Sequence, residues 1–379
     1  MPIWEQGLGP GGMEGSLRIA LVNGSHRWDG HTRVFHMFRE ALEAAGIVPQ
    51  VYTCVDPSSA CRFASDGSLV RGRRWPGGPL AEAGLNRLLP VYARRLRALP
   101  ADLLHVNDVF LARAAAYRPD VVVTVADLGK LVTHWYPRAS SVVHNLNARY
   151  LPRARGIVCL SEFARDSVRE RFGLPEDRVL RVPPFAEPPV LPVRAAPPAP
   201  SAESPWRLLC VATDRPHKNL GLFLELLRRA GPSYRGILLS DVSEATLRRV
   251  RELGLKDRLE ILRRTNDLRG LYAAAQVLIL PSFYEGFGLP LLEAMSHALP
   301  ILASDRTSVP EVVGPGGALL DPGDPSPWLE ALRRLEEPGR YVDASRRSRD
   351  RAGDFPRERT SEALRHAYEV FRSTGPPRV

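Results

Sequence analysis

Short apolar runs alternate with amphipathic ones along nearly the whole chain, and one proline-rich stretch divides that alternation in two. Before the break, residues 16–23, 48–55, 103–106, 121–125 and 156–160 read as strands, and residues 34–45 and 162–172 have helical spacing closed by Gly46 and Gly173. After it, residues 206–212, 234–240, 259–262, 276–280 and 300–304 read as strands, with helices over 220–230 and 245–254. The break, residues 183–205, reads PPFAEPPVLPVRAAPPAPSAESP. Proline fixes φ and removes a backbone donor, so this stretch is neither a helix nor a central strand. Apolar runs bounded by polar residues suit parallel strands buried on both faces. The expectation is an α/β protein of two Rossmann-like, doubly wound domains facing each other across a cleft. One spans residues 16–184, a linker spans 185–205 and the second domain spans 206–358. A last helix with a loose tail, 359–379, is expected to pack back on the first domain.

Hydrophobic residues at 44% and charged residues at 25% fit a globular chain, and no apolar run is long enough to cross a bilayer. Residues 1–16 are Gly-rich without the basic-then-apolar order of a signal peptide, and read as a loose leader. The four cysteines, Cys54, Cys61, Cys159 and Cys210, lack metal-ligand spacing; Cys159 and Cys210 lie in apolar runs, as reduced buried thiols do. A cytoplasmic protein is expected. The net charge of +10 comes almost wholly from arginine, since Lys130, Lys218 and Lys256 are the only lysines. A basic surface attracts phosphorylated ligands, anionic lipid or nucleic acid alike. No aromatic platform or recognition motif accompanies it, so no nucleic-acid partner is expected.

Chemistry concentrates in residues 280–293, LPSFYEGFGLPLLE. A strand ends at Leu280, a glycine-bearing loop follows, and Pro290 stands where a helix begins. Gly286 and Gly288 let the backbone approach a ligand, and the helix N-terminus offers unpaired N–H groups to an anion. That is a diphosphate cradle. Glu285 and Glu293 bracket it, as acceptors for sugar and ribose hydroxyls; the plainer alternative is a strand-turn-helix with incidental glutamates. Residues 213–219, TDRPHKN, supply a second piece at another strand–helix junction. The ammonium of Lys218 there suits a departing phosphate, although a solvated helix start gives the same pattern.

Together these segments resemble glycosyltransferase family four, the "glycosyl transferases group 1" family of GT-B architecture. EGFGLPLLE matches the family's Glu-x7-Glu motif, residues 267–324 resemble its donor domain almost without gaps, and GIVCLSEFARDSVRERFG (156–173) resembles a segment near the end of its acceptor domain. The resemblance is close over 206–324 and looser over 16–182. It implies a retaining hexosyltransferase with front-side attack in a closed cleft, needing no metal or cofactor beyond its nucleotide-diphosphate sugar. The first domain would bind a saccharide or lipid-linked acceptor and the second the donor, with mannose on guanine as the donor expectation. Glu285 would support the developing charge on the sugar, and Lys218 would neutralise the leaving diphosphate. Glu293 would hold the ribose, and the backbone of Gly286, Phe287, Gly288 and Leu289 would bind sugar and phosphate.

Three departures stand out. The family's arginine upstream of the lysine is absent, with Arg215 the nearest substitute. In VVVTVADLGK (121–130), Ala126 stands beside Asp127 where the family has a histidine lining the sugar site, leaving His134 or His144 to reach the cleft. A catalytically impaired member that binds nucleotide sugar or a protein partner is the alternative that Ala126 raises. Ala298 replaces a common glycine and reads as packing. Near the N-terminus, NGSHRWDGHTR (23–33) occupies the place of the family's glycine-rich loop, with Gly30 best placed to approach the donor and His31 or Arg33 assisting. Residues 85–99, LNRLLPVYARRLRAL, form an apolar stripe flanked by arginines. Such a helix can rest on anionic lipid, giving a peripheral membrane contact, but a stripe of this spacing more commonly faces a core.

Overall fold

The computed structural model describes residues 17–23, 30–53, 96–97, 99–136, 138–188 and 190–374. Among the described residues, twelve strands form two six-stranded sheets, each wholly parallel where its pairings are defined. In the first, β1 (Ile19–Asn23), β2 (Gln50–Thr53), β3 (Leu103–Val106), β4 (Val121–Val125), β5 (Gly156–Cys159) and β6 (Val179–Arg181) lie in the order β2-β1-β3-β4-β5-β6. In the second, β7 (Trp206–Val211), β8 (Tyr234–Leu239), β9 (Leu259–Leu262), β10 (Val277–Leu280), β11 (Ile301–Ser304) and β12 (Ala318–Leu320) lie in the order β12-β11-β10-β7-β8-β9. β1 and β3–β5 are buried at every residue, which is why they read as continuous apolar runs. The short β6 and β12, part-exposed at sheet edges, escaped that reading.

Strand order locates the clefts. The chain reverses direction across the sheet between β1 and β3 and again between β7 and β10. Ligands in open α/β sheets bind beyond the carboxyl ends of strands at such switch points. Beyond β7 and β10 stand TDRPHKN and the PSFYEGFG loop; beyond β1 and β3 stand the helix Gly30–Ala44 and Asn107-Asp108.

The last helix, Arg357–Ser373, returns to the first sheet. Its Phe371 and Tyr368 are fully buried, Ser361 donates to the carbonyl of Ala41 (2.7 Å), and Arg155 donates to that of Arg372 (2.8 Å). His105 on β3 is hydrogen-bonded to Tyr368 (2.7 Å) and to Thr124 on β4 (2.7 Å). Burial pushes its pKa down to about 3, so it is neutral.

Between the sheets, residues 182–188 and 190–205 hold no regular element, as their prolines dictate. Arg194 ties this strap down. Its guanidinium donates to the carbonyls of Tyr272 (2.7 Å), Ala275 (2.5 Å) and His297 (2.8 Å), at the C-terminal ends of the helices Leu268–Ala274 and Leu289–Ser296. A cation there also complements both helix dipoles. Ala298, which follows the C-cap His297 of the second of these helices, has φ 49°. The family's glycine is thus a matter of backbone conformation as well as packing, because alanine in this region costs about 1 kcal/mol. Of residues 85–99 only Leu96, Arg97 and Leu99 are described. Leu96 is buried beneath the first sheet with Leu99 packed against the same cluster, as the core reading requires. His26, Cys54 and Cys61 lie outside the described residues. Cys159 and Cys210 are free and buried, and burial pushes the Cys210 thiol up to about 12.

Candidate active site

The second sheet contributes a wall built from consecutive residues. At the end of β10 the chain turns through Ser282, Glu285 and Gly286, then enters the helix Leu289–Ser296 through Gly288, whose φ of 92° favours glycine. Lys218 Nζ meets Glu285 Oε2 at 2.7 Å, and Ser282 Oγ donates to Oε1 at 2.8 Å. The Glu285 backbone is held from both sides: its N–H donates to Thr307 Oγ1 (3.0 Å) and its carbonyl accepts from Ser308 Oγ (2.9 Å). The lysine loop is registered on this one. Phe283 N–H donates to the His217 carbonyl (2.8 Å), and Asn219 bridges to the carbonyls of Pro281 (3.1 Å) and Pro322 (2.8 Å). The side chains of Lys218 and Glu285 keep 18% and 9% of their surface, so the pair still opens to the cleft. Arg215 is exposed at the rim of the same loop.

Glu293, expected from the family resemblance to hold the ribose, has two protein partners. Buried Tyr272 donates to one of its oxygens and Arg33, from the first domain, donates to the other. Arg33 also lies 3.5 Å from Glu187. Burial opposes the charge on Arg33 most strongly, and Glu293, Glu187 and Tyr272 together more than restore it. A cavity of about 260 Å³ adjoins this pair, lined by Arg33, Leu268, Arg269, Tyr272, Glu293 and His297 among others.

Opposite stands a wall assembled from the ends of several strands of the first sheet. A Cβ on Gly286 would lie 2.8 Å from Asp127 Cβ and closer still to the Ala126 carbonyl oxygen, so only glycine admits this approach. Ser161 Oγ donates to the Gly286 carbonyl at 2.7 Å, while Glu311 accepts from the Glu162 N–H (2.8 Å) at the start of the helix Glu162–Phe172. Gly30 faces Leu289, and Asp127 closes its own turn by accepting from Gly129 N–H (2.7 Å). Phe287 buries its ring against Phe355 and leaves only its backbone to the cleft.

His134 and His144 are the candidates to stand in for the family's histidine. His134 is exposed, and His144 sits edge-on to Phe110 (4.4 Å) with its pKa lowered to about 3 by burial and nearby Lys130. Trp135 and Tyr136 instead reach the donor loops. Trp135 stacks on His217 (6.0 Å) and Phe283 (6.4 Å), and the Tyr136 hydroxyl lies 3.3 Å from His217 Nε2. Sequence reasoning missed Tyr136, Trp135 and Tyr272, which lack any local motif; His217 was inside a quoted motif but overshadowed by Lys218.

Comparisons with known proteins bear on the family and the fold. A family model described as "Glycosyltransferase Family 4" matches residues 28–188, and one described as "Glycosyl transferases group 1" matches residues 205–337. The O-antigen chain mannosyltransferase B of Escherichia coli is 31% identical over 243 residues, 58% of this chain and 62% of that protein. The O-antigen chain mannosyltransferase RfbU of Salmonella typhimurium is 33% identical over 134 residues, covering 34% of this chain and 38% of that one. The matches thus span about 60% or less of these curated relatives. Among solved structures, the sucrose-phosphate synthase of Thermosynechococcus elongatus superposes with a TM-score of 0.72 at 19% identity, over 95% of this chain and 100% of that one. Anabaena HepE in complex with UDP and glucose superposes at 0.67 with 16% identity, over 95% and 100% of the two chains. Two family models in sequence, two facing doubly wound sheets and the Glu285–Lys218 pair at a switch point lead to one conclusion: the chain belongs to glycosyltransferase family four, the glycosyl transferases group 1 family, with the GT-B fold.

Proposed function

We propose that this chain is a retaining hexosyltransferase that moves mannose from a guanosine-diphosphate donor to a saccharide or lipid-linked acceptor. The observation that supports it most is the 2.7 Å pair of Lys218 Nζ and Glu285 Oε2 at the switch point of the second sheet, beside a glycine-entered helix start. In this reading the diphosphate lies against the backbone N–H groups from Gly286 to Leu289, and Lys218 leaves Glu285 to neutralise the departing phosphate, helped by Arg215. Fixed cationic donors aimed at developing charge lower the barrier without reorganising. Glu285, freed of the lysine, faces the sugar and supports positive charge at its anomeric carbon. Glu293 takes the ribose hydroxyls on its remaining lone pairs while Tyr272 and Arg33 hold its carboxylate in place. Gly30 and Asp127 close the donor pocket from the first domain, whose β1–β3 switch point receives the acceptor. Front-side attack then places the acceptor on the face that the diphosphate leaves, and the anomeric configuration is kept. Mannose as the sugar rests on the two mannosyltransferase relatives.

A thermal-shift screen of the purified protein against GDP, UDP, ADP and CMP tests the donor site. GDP is expected to raise the melting temperature, and Glu293→Ala to weaken that binding about tenfold. A chain that responds to none of the four nucleotides would contradict the reading.

A further inference from the structure

Ala126 stands where the family resemblance implies a histidine; its backbone lies against Gly286 across the cleft, and another polar side chain, Tyr136, also crosses to the donor loops. Tyr136 lies ten residues further on, between the short helix Gly129–Val132 and the helix Arg138–Ala148. Its ring passes over Gly129, where an added Cβ would come within 3.4 Å of it and 2.9 Å of Asp127 Oδ1. Its hydroxyl reaches across the cleft to His217 Nε2 at 3.3 Å, with the two rings 5.1 Å apart. Trp135 stacks on the same imidazole and braces the turn. Tyr136 is half-buried, so its hydroxyl is neither lost in the core nor free in solvent. The charged groups acting on it are Asp127 and Glu285, which raise its pKa after burial has done so, and Arg215, which opposes them. The phenol is therefore a protonated donor and not a base.

His217 decides where that donor points. It is 3% exposed, its pKa is lowered to about 4 by burial and then Lys218, and its Nδ1 has no hydrogen-bond partner among the described residues. A buried orphan N–H is rarer and costlier than an orphan acceptor, which favours the hydrogen on Nε2. In that tautomer His217 donates to the phenolic oxygen, and the phenolic hydrogen is left for a ligand. We propose that Tyr136, held against His217, is a substrate-contacting residue that donates a hydrogen bond to a ring hydroxyl of the transferred hexose, in place of the missing side chain at Ala126. The inference rests on the reading of the cleft as a nucleotide-sugar site.

Tyr136→Phe keeps the ring and removes only the hydroxyl. The test measures kcat, KM and nucleotide affinity of wild type, Tyr136→Phe and Glu285→Gln, with GDP-mannose or UDP-glucose, whichever wild type turns over, and with monodeoxy analogues of that sugar. Expected is a fall in kcat/KM of about 10- to 100-fold in Tyr136→Phe with free-nucleotide affinity unchanged. The penalty that wild type imposes on one monodeoxy analogue should vanish in this variant, because a site loses discrimination at the hydroxyl it no longer contacts. If Tyr136→Phe keeps wild-type kcat/KM while Glu285→Gln is inactive, the proposal fails and the donor-site reading stands. If Tyr136→Phe is slower on every analogue by the same factor, the tyrosine only positions its neighbours and the proposal also fails. A wild type that turns over neither nucleotide sugar removes both.

Discussion

The two walls of the cleft are built on opposite plans. The second sheet places Ser282, Glu285, Gly286, Gly288 and Glu293 within one loop and the helix that follows it. The first gathers Arg33, Asp127, Tyr136 and Ser161 from beyond β1, β4 and β5, and needs a helix from the far end of the chain to pack against its sheet and against the helix that carries Arg33. A contiguous wall keeps its geometry through local backbone bonds, such as those from Thr307 and Ser308 to Glu285. A distributed wall depends on the packing of the whole domain. Substitutions should therefore separate the two: chemistry lost without stability on one side, stability lost first on the other.

The largest effect is expected at the C-terminal helix. Phe371 is fully buried against the first sheet, so Phe371→Ala should cost about 3–5 kcal/mol of stability. Urea unfolding followed by circular dichroism measures this; a loss below 1 kcal/mol would mean that the helix does not hold the distributed wall together. Next come Glu285→Gln and Lys218→Ala. Each should lower kcat about 10²- to 10³-fold while leaving the urea midpoint nearly unchanged. Wild-type turnover in either variant would remove the contiguous wall from the chemistry.

The smallest effect per residue is a pH dependence carried by buried histidines. Burial holds His105 at a pKa of about 3, below the ordinary value of 6.5, so the unfolded chain binds its proton more readily. Its contribution is fully present above pH 6.5 and is lost as the pH falls toward 3. At pH 5 a single such histidine costs about 2 kcal/mol. His144, also near 3, and His217, near 4, act in the same direction. Unfolding midpoints at pH 8, 6.5 and 5 should fall in that order, and His105→Gln should flatten the fall; an unchanged slope would show that His105 does not carry it.

The same contrast explains what could be read from the sequence. β7 to β11 and the loop after β10 were legible because these strands are mostly apolar, with one exposed charge each in β7, β8 and β9 (Arg207, Arg235 and Glu260), and because phosphate-binding glycines and the two glutamates sit within one short segment. Lys218 stood out as a lysine in an arginine-rich chain. Tyr136 could not be singled out, since its role depends on a turn that swings its ring over Gly129 and on a histidine 81 residues away. The Arg33 partner of Glu293 lies 260 residues from it, and no spacing rule joins them. Arg194 could not be singled out either, since its three carbonyl partners lie 78 to 103 residues away. The reading of Ala298 as packing alone missed a positive φ, which only a backbone reveals.

The stereochemistry of the product tests the central claim most directly. The chain would be incubated with GDP-mannose, whose sugar is α-linked, and a mannose-terminated saccharide, and the new bond read by proton and carbon NMR, with Glu285→Gln as the control for background transfer. An α-linked product that is absent in the control is the expected result. A β-linked product formed by wild type would contradict front-side attack and the placement of Glu285 and Lys218 on the side from which the diphosphate leaves.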